Sequence, residues 1–206
     1  MCAMRGKSPE QCVSVADLAL RLRSPGLGAS AHELKQAIFS PGGVVGLDLA
    51  GDEMDYPNSR YVACMRGAKQ QGLNITVHSG EFETSEASDV RSAVFLMGAD
   101  RIGHGYAAAR DPELLEALRM RKVHLEVCPQ SALNHGAWAV EAIKSFMGLD
   151  MGLNTDDPSQ YFANTSQELV EDLVKSKLNF TSQKVEEAYA AAYNARFGPR
   201  AVPVMV

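Results

Sequence analysis

Five short apolar, β-rich runs recur along the chain at a near-constant interval, and that interval limits the folds open to it. The runs are Val44–Ala50, Ile75–His78, Arg101–Gly103, His124–Cys128 and Met151–Asn154. Their first residues stand 31, 26, 23 and 27 positions apart. A strand plus its return helix takes about 30 residues, so the runs read as successive βα units of a parallel sheet. Cys2–Met4 reads as the stub of a further strand. Helical segments fill the gaps: Pro9–Leu22, Ser59–Gln71, Ser85–Met97, Asp111–Arg121 and Trp138–Met147, with Ser166–Ser176 and Thr181–Phe197 closing the chain. Ser8-Pro9-Glu10 and Asp111-Pro112-Glu113 are helix-start signatures. Gly72 and Gly98 stand where a helix C-terminus wants a positive φ. A length of 206 residues suits one well-buried core, and no boundary splits the alternation, so 1–206 is read as a single domain.

The strands look mostly apolar on both faces, as expected when helices cover a sheet. Polar residues gather instead at their C-terminal ends: Asp48-Leu49-Ala50-Gly51-Asp52-Glu53, His78-Ser79-Gly80-Glu81, Gly103-His104-Gly105, Cys128-Pro129-Gln130-Ser131 and Asn154-Thr155-Asp156-Asp157-Pro158. Parallel α/β folds, barrel or doubly wound, place ligands and catalytic groups at that edge. No G-x-G-x-x-G or P-loop follows any strand, so a nucleotide-phosphate cradle is not supported. The net charge of −5 leaves no basic excess for a nucleic-acid backbone. No apolar run approaches the roughly 20 residues of a membrane span. Met1–Glu10 carries no apolar signal core, and Cys2, Cys12, Cys64 and Cys128 are far apart with no C-x-x-C pair. Read as single buried thiols, they suit a reducing cytoplasm.

Each chemical group has a bland reading. His78 could be a core or cap histidine, Glu81 a surface carboxylate at a helix start, His104 a turn histidine and Gly51 a tight turn. Asp156-Asp157 is a sharper signal: two adjacent carboxylates at the mouth of a parallel sheet cost desolvation unless a metal, a proton or a ligand offsets it. Together, His, Glu, His and Asp-Asp at one sheet edge suit metal-assisted hydrolysis, in which a metal lowers the pKa of bound water and acid and base groups shuttle protons.

Five stretches resemble the zinc-dependent adenosine deaminases, in that family's order and with sensible spacing: Leu47–Glu53, Val77–Glu81, Arg101–Tyr106, Leu125–Pro129 and Leu153–Pro158. The resemblance implies a (β/α)8 TIM-barrel fold with its site at the C-terminal mouth. It implies that His78 and Asp156 are zinc ligands, that Glu81 protonates the purine ring nitrogen, and that His104 orients or deprotonates the zinc-bound water. Asp157 would hydrogen-bond the five-membered ring, and Gly51 would offer its N–H to the purine edge. The implied activity is conversion of adenosine, and of deoxyadenosine, to inosine and ammonia in purine metabolism. Related adenine deaminases usually carry an Asp where this chain has Gly103, which favours a nucleoside over the free base.

The family's first strand carries a His-x-His pair supplying two further zinc ligands, and this chain contains none. His32 lies in a helical stretch, His124 begins a strand and points to the opposite end, and His135 sits in the loop after Pro129 without a partner. A complete barrel usually needs about 250 residues. The stub at Cys2–Met4 matches the family's third strand, so the expectation is an N-terminally truncated barrel with about six of eight βα units, exposing long edges and apolar faces. Ala132 replaces a polar residue common after Cys-Pro-x-Ser, which bears on contacts near the ribose. Two alternatives stay open: a catalytically inactive remnant of the same family, and a non-hydrolytic purine- or metal-binding α/β module.

Overall fold

The computed structural model describes residues 1–23, 43–157 and 167–197. His32 and Pro158, both named above, lie outside them. Six strands form the sheet: β1 (Cys2–Met4), β2 (Gly46–Ala50), β3 (Asn74–Ser79), β4 (Arg101–His104), β5 (His124–Val127) and β6 (Met151–Leu153). Every neighbouring pair is parallel, and the spatial order follows the chain, β1 to β6. A doubly wound sheet reverses its order at a switch point; this one never does. It is the sequential winding of a βα barrel, and among the described residues β1 and β6 end the sheet without pairing to each other.

Helices return the chain between strands: α1 (Pro9–Arg21), α2 (Val62–Gln70), α3 (Ala87–Ser92), α4 (Pro112–Arg121), α5 (Pro129–His135), α6 (Ala137–Ser145), α7 (Gln167–Leu178) and α8 (Ser182–Ala195). The Ser8 and Asp111 side chains cap α1 and α4 by accepting from Gln11 N and Leu114 N, and proline opens each helix. After α3 the helix widens into a π-turn over Ala93–Met97 and stops at Gly98, whose φ is +77°. The sequence reading missed α5 because Pro129 looked like a loop residue; proline at the first helical position is instead compatible with a start there.

The strands alternate, contrary to the expectation of two apolar faces. Leu47, Leu49, Ile75, Val77, Ile102, Leu125 and Val127 are fully buried beneath the helices. The opposite, inner face carries Asp48, Thr76, His78, Arg101, Gly103 and Glu126, which are register neighbours across β2 to β5. Thr76 Oγ1 donates to Glu126 at 3.2 Å, and Arg101 Nε pairs with Glu126 at 2.6 Å. The inner face is therefore polar and cross-linked rather than bare hydrocarbon, and the edge strands are three residues each, not long. Charged groups there explain why a hydrophobic count along four-residue runs misled: Leu125-Glu126-Val127-Cys128 is an alternating strand. Phe197, just beyond α8, closes the interior at the N-terminal strand ends, its ring 3.9 Å from the Arg101 guanidinium.

The cysteines are a second correction. Cys12 on α1 and Cys64 on α2 form a disulfide with Cα atoms 6.2 Å apart, and Cys2 is exposed; of the two free cysteines only Cys128 is buried. Fifty-two positions separate the pair in sequence, but consecutive βα units lay their helices side by side on one face. That proximity is a property of the topology, not of local spacing.

Candidate active site

The residues read as functional do converge on the C-terminal mouth. The backbone turns sharply where each strand ends: Gly51 after β2 (φ +103°), Gly80 after β3 (+76°), His104 at the end of β4 (+63°) and Asp156 beyond β6 (+59°). Left-handed backbone at non-glycine residues is costly and persists only where the surroundings enforce it. Here it turns His104 out of the strand alternation, so that its ring lies 5.3 Å from that of His78. Gly80 has no substitute: a Cβ there would stand 2.7 Å from Val90 Cγ2. At Gly103 a Cβ would stand 3.1 Å from the His78 ring, a close approach that packs the two strand ends together.

His78 Nδ1 and Asp48 Oδ1 are 3.1 Å apart. Burial alone would lower this imidazole, but the Asp48 hydrogen bond and the charges of Asp48, Glu126 and Glu81 outweigh it and lift the pKa to about 9. His104 is 2% exposed. Burial, followed by the charges of His78 and His135, lowers it to about 3, so it is neutral. Its Nε2 lies 3.6 Å from Glu81 Oε2. Glu81 is itself raised by burial, a shift that His135 opposes.

Four residues around Glu81 and His78 were not assigned roles from sequence. Glu53 is buried and accepts from Gly80 N (2.8 Å), Glu81 N (2.7 Å) and Ser85 Oγ (2.6 Å), so a carboxylate from the β2 end holds the turn that presents Glu81. His135 does have a partner, contrary to expectation: its Nε2 is 3.1 Å from Glu81 Oε1. Helix α5 delivers it, with Phe82 edge-on to the ring and Trp138 Nε1 donating to its carbonyl. Asp48 occupies the inner face two residues before Ala50, where strand periodicity would have found it. Arg5, buried after β1, donates to Asn58 and to the His78 carbonyl (2.8 Å), fixing the end of β3. His124 does lie at the opposite end, on Asp150 at 2.7 Å.

Asp156 comes close to His104 and Cys128: donor atoms of the three lie within 4.8 Å of one another. Asp157 is exposed at the rim, and Gly51 lies against Arg5 one strand along. Asp156 Oδ2 and His104 Nδ1 are buried without a hydrogen-bond partner, the signature of a missing cation or ligand group. His78 carries a carboxylate on Nδ1, which leaves Nε2 as the free nitrogen, the arrangement that orients metal-binding imidazoles. His78 Nε2 and Asp156 Oδ2 are thus each chemically suited to donate to a cation. Among the described residues no helix is long and apolar enough to cross a membrane.

The family model for adenosine deaminase matches residues 3–202. An adenosine deaminase of Shewanella denitrificans is 32% identical over 183 residues, which are 86% of this chain and 54% of that protein. One from Gallus gallus is 34% identical over 162 residues, 76% of this chain and 44% of that protein. The chain thus spans about half the length of the curated relatives it matches. Among solved structures, a zinc-bound amidohydrolase of Burkholderia ambifaria superposes with a TM-score of 0.77 at 23% identity, covering 96% of this chain and 51% of that one. An adenine deaminase of Arthrobacter aurescens gives 0.72 at 23%, covering 96% and 55%. The N6-methyl-AMP deaminase of Arabidopsis thaliana gives 0.68 at 21%, covering 97% and 53%. These superpositions show that the six strands are part of the barrel architecture such enzymes share. With the family model matching nearly the whole chain, and its motif residues gathered at one mouth, the chain belongs to the adenosine deaminase family.

Proposed function

We propose that this chain carries part of the active site of a hydrolase that converts adenosine and deoxyadenosine to inosine and ammonia in purine metabolism, with the nucleoside as its small-molecule partner. One observation carries the reading. Glu81 and His104 face each other at 3.6 Å, and their surroundings push them in opposite directions, the carboxyl raised and the imidazole lowered to about 3. Paired groups separated in this way mark an acid and a base. Attack on an aromatic ring carbon needs the ring nitrogen protonated and a water deprotonated in the same step. Glu81, kept protonatable by burial, supplies the proton to the ring nitrogen. His104, neutral and facing the same space, orients the attacking water by accepting its hydrogen bond. Glu53 and His135 hold Glu81 in place. Asp157 at the rim accepts from or donates to the five-membered ring, and the Gly51 N–H faces the purine edge.

His78 and Asp156 are the residues of this chain that would hold zinc, which supplies Lewis acidity to a water when bound. Related adenine deaminases usually carry an Asp where this chain has Gly103, which supports a nucleoside over a free base.

The experiment is ammonia release from adenosine, deoxyadenosine, adenine and AMP, by the chain alone and co-expressed with the first two βα units of a relative. Adenosine and deoxyadenosine should be the substrates consumed. Glu81→Gln should cut turnover about 10²–10⁴-fold, the usual size of an acid–base contribution, with metal content unchanged. Near-normal turnover in that variant, or preference for adenine or AMP, would overturn the reading.

A further inference from the structure

The turn that presents Glu81 is gripped from two sides, and one exposed arginine joins the grips. The first grip is on the backbone: Glu53 accepts from Gly80 N, Glu81 N and Ser85 Oγ, and Ser85 Oγ accepts in turn from Phe82 N at 3.0 Å. The second is on the side chain, where His135 Nε2 stands 3.1 Å from Glu81 Oε1. His135 is the last residue of α5, a helix of seven residues, and the carbonyls at a helix end have no partner within the helix. Trp138 Nε1 donates to the His135 carbonyl at 2.9 Å, reaching back across Gly136, whose φ is +108°. The placement of the Trp138 ring therefore sets how His135 meets Glu81.

That ring is held edge-on by Tyr106, with centroids 6.0 Å apart, and over its face by Arg110, whose guanidinium carbon is 5.1 Å from the ring centroid. Arg110 ends the 3-10 turn Tyr106–Arg110 after β4, and its Nη1 donates to the Ser85 carbonyl at 3.1 Å. The contacts thus close a circuit from the Glu81 carboxyl through His135, Trp138, Arg110, Ser85 and Glu53 back to Glu81 N. A guanidinium suits both of its places in the circuit, because its flat face lies over an aromatic ring while an N–H in its plane donates to a carbonyl. A lysine ammonium is a point charge without that flat face.

We propose that Arg110 is a positioning residue for Glu81, tying the arm that holds its carboxyl, through Trp138 and His135, to the arm that holds its backbone, through Ser85 and Glu53. Arg110 touches no reacting atom. The role rests on the deaminase reading for what Glu81 does, whereas the brace itself is a matter of contacts. Glu81 divides its two oxygens between elements, Oε2 facing His104 at 3.6 Å and Oε1 facing His135 at 3.1 Å. A shift of α5 against the turn therefore drags the carboxyl away from the place where its proton is needed. A misplacement of about 1 Å costs a catalytic group on the order of 10²-fold in rate.

The test is NMR of the 206-residue chain at one fixed pH, with carbon-13 in the glutamate carboxyls and nitrogen-15 in tryptophan. The chain has a single tryptophan, so its one indole N–H signal reports Trp138. The carboxyl signal lost in Glu81→Gln is that of Glu81. Arg110→Met keeps an apolar stem and removes the charge and the donors. It should move both signals, the Glu81 signal in the same sense as His135→Ala does. Trp138→Phe keeps a ring but not the indole donor, and should move the Glu81 signal likewise; it decides the matter where Arg110→Met fails to fold. Arg119→Met, which breaks only a surface pair with Glu116, should move neither. A Glu81 signal that stays in place in the folded Arg110 or Trp138 variant, or that moves as far in Arg119→Met, overturns the brace. In the chain co-expressed with the first two βα units of a relative, Arg110→Met should lower kcat by about 10–10²-fold with the KM for adenosine unchanged. A raised KM at unchanged kcat overturns the positioning role. An unsubstituted enzyme silent on adenosine removes the deaminase reading, while coupled NMR signals leave the brace standing.

Discussion

At the scale of single residues, the mouth is controlled by groups that never touch the proposed substrate. Glu53 accepts three hydrogen bonds from the turn that presents Glu81. Hydrogen bonds to a charged group are worth about 1.5–3 kcal/mol, and orphaned buried donors cost more. Glu53→Leu should therefore lower the unfolding free energy by at least about 2 kcal/mol in denaturant titration, and an unchanged midpoint would show that the turn holds itself. His135 acts on Glu81 more softly. Its charge and hydrogen bond oppose the rise that burial imposes on the carboxyl. His135→Ala should move the Glu81 titration upward, as read by carbon-13 NMR of the carboxyl; a downward move would reverse the assigned sign.

At the scale of elements, two features tie strands and helices together. The Cys12–Cys64 bridge closes a loop of 52 positions between α1 and α2. In the chain-entropy account a loop of that size is worth about 4 kcal/mol. Reductant should lower the denaturation midpoint accordingly, and thiol counting on the denatured, unreduced chain should give two free cysteines rather than four. The β3–α3 turn depends on Gly80, at φ +76° with Val90 directly behind it. Gly80→Ala should destabilise the chain by more than the roughly 1 kcal/mol of an ordinary left-handed substitution, because the strain and the clash add. The elements themselves were largely legible. Periodic apolar runs, Ser8 and Asp111 as caps, and Gly98 as a stop found seven of the eight described α-helices to within a few residues. Helix α5 was missed because seven residues opening on Cys-Pro carry too few apolar positions to show a period. Asp156 and His104 were legible as an edge cluster, whereas the His135–Glu81 and Asp48–His78 pairs were not, since each joins residues 30 or more apart through register and helix placement.

At the scale of the whole molecule, two histidines give opposite pH responses. His104 is lowered from 6.5 to about 3 in the folded chain. Between those values the unfolded chain binds a proton that the folded chain excludes, so stability falls as pH drops from about 6.5 toward 3. His78 is raised from 6.5 to about 9. Its contribution is full below about 6.5 and is lost as pH climbs to about 9. With metal removed by a chelator, the denaturant midpoint should therefore peak near neutral pH and decline on both sides. A midpoint that rises steadily from pH 7 to 9 would contradict the His78 assignment.

What the sequence determined by itself was the class of fold and the edge at which chemistry collects. Strand and helix periods are local, and parallel strands separated by single helices leave few ways to wind. Only the tertiary structure decided which face of each strand is polar, which cysteines meet and which groups flank Glu81. Those outcomes depend on the stagger between neighbouring strands and on helices lying side by side. Both are set by packing across 20 to 50 positions of chain, a range over which one linear pattern carries no distance information.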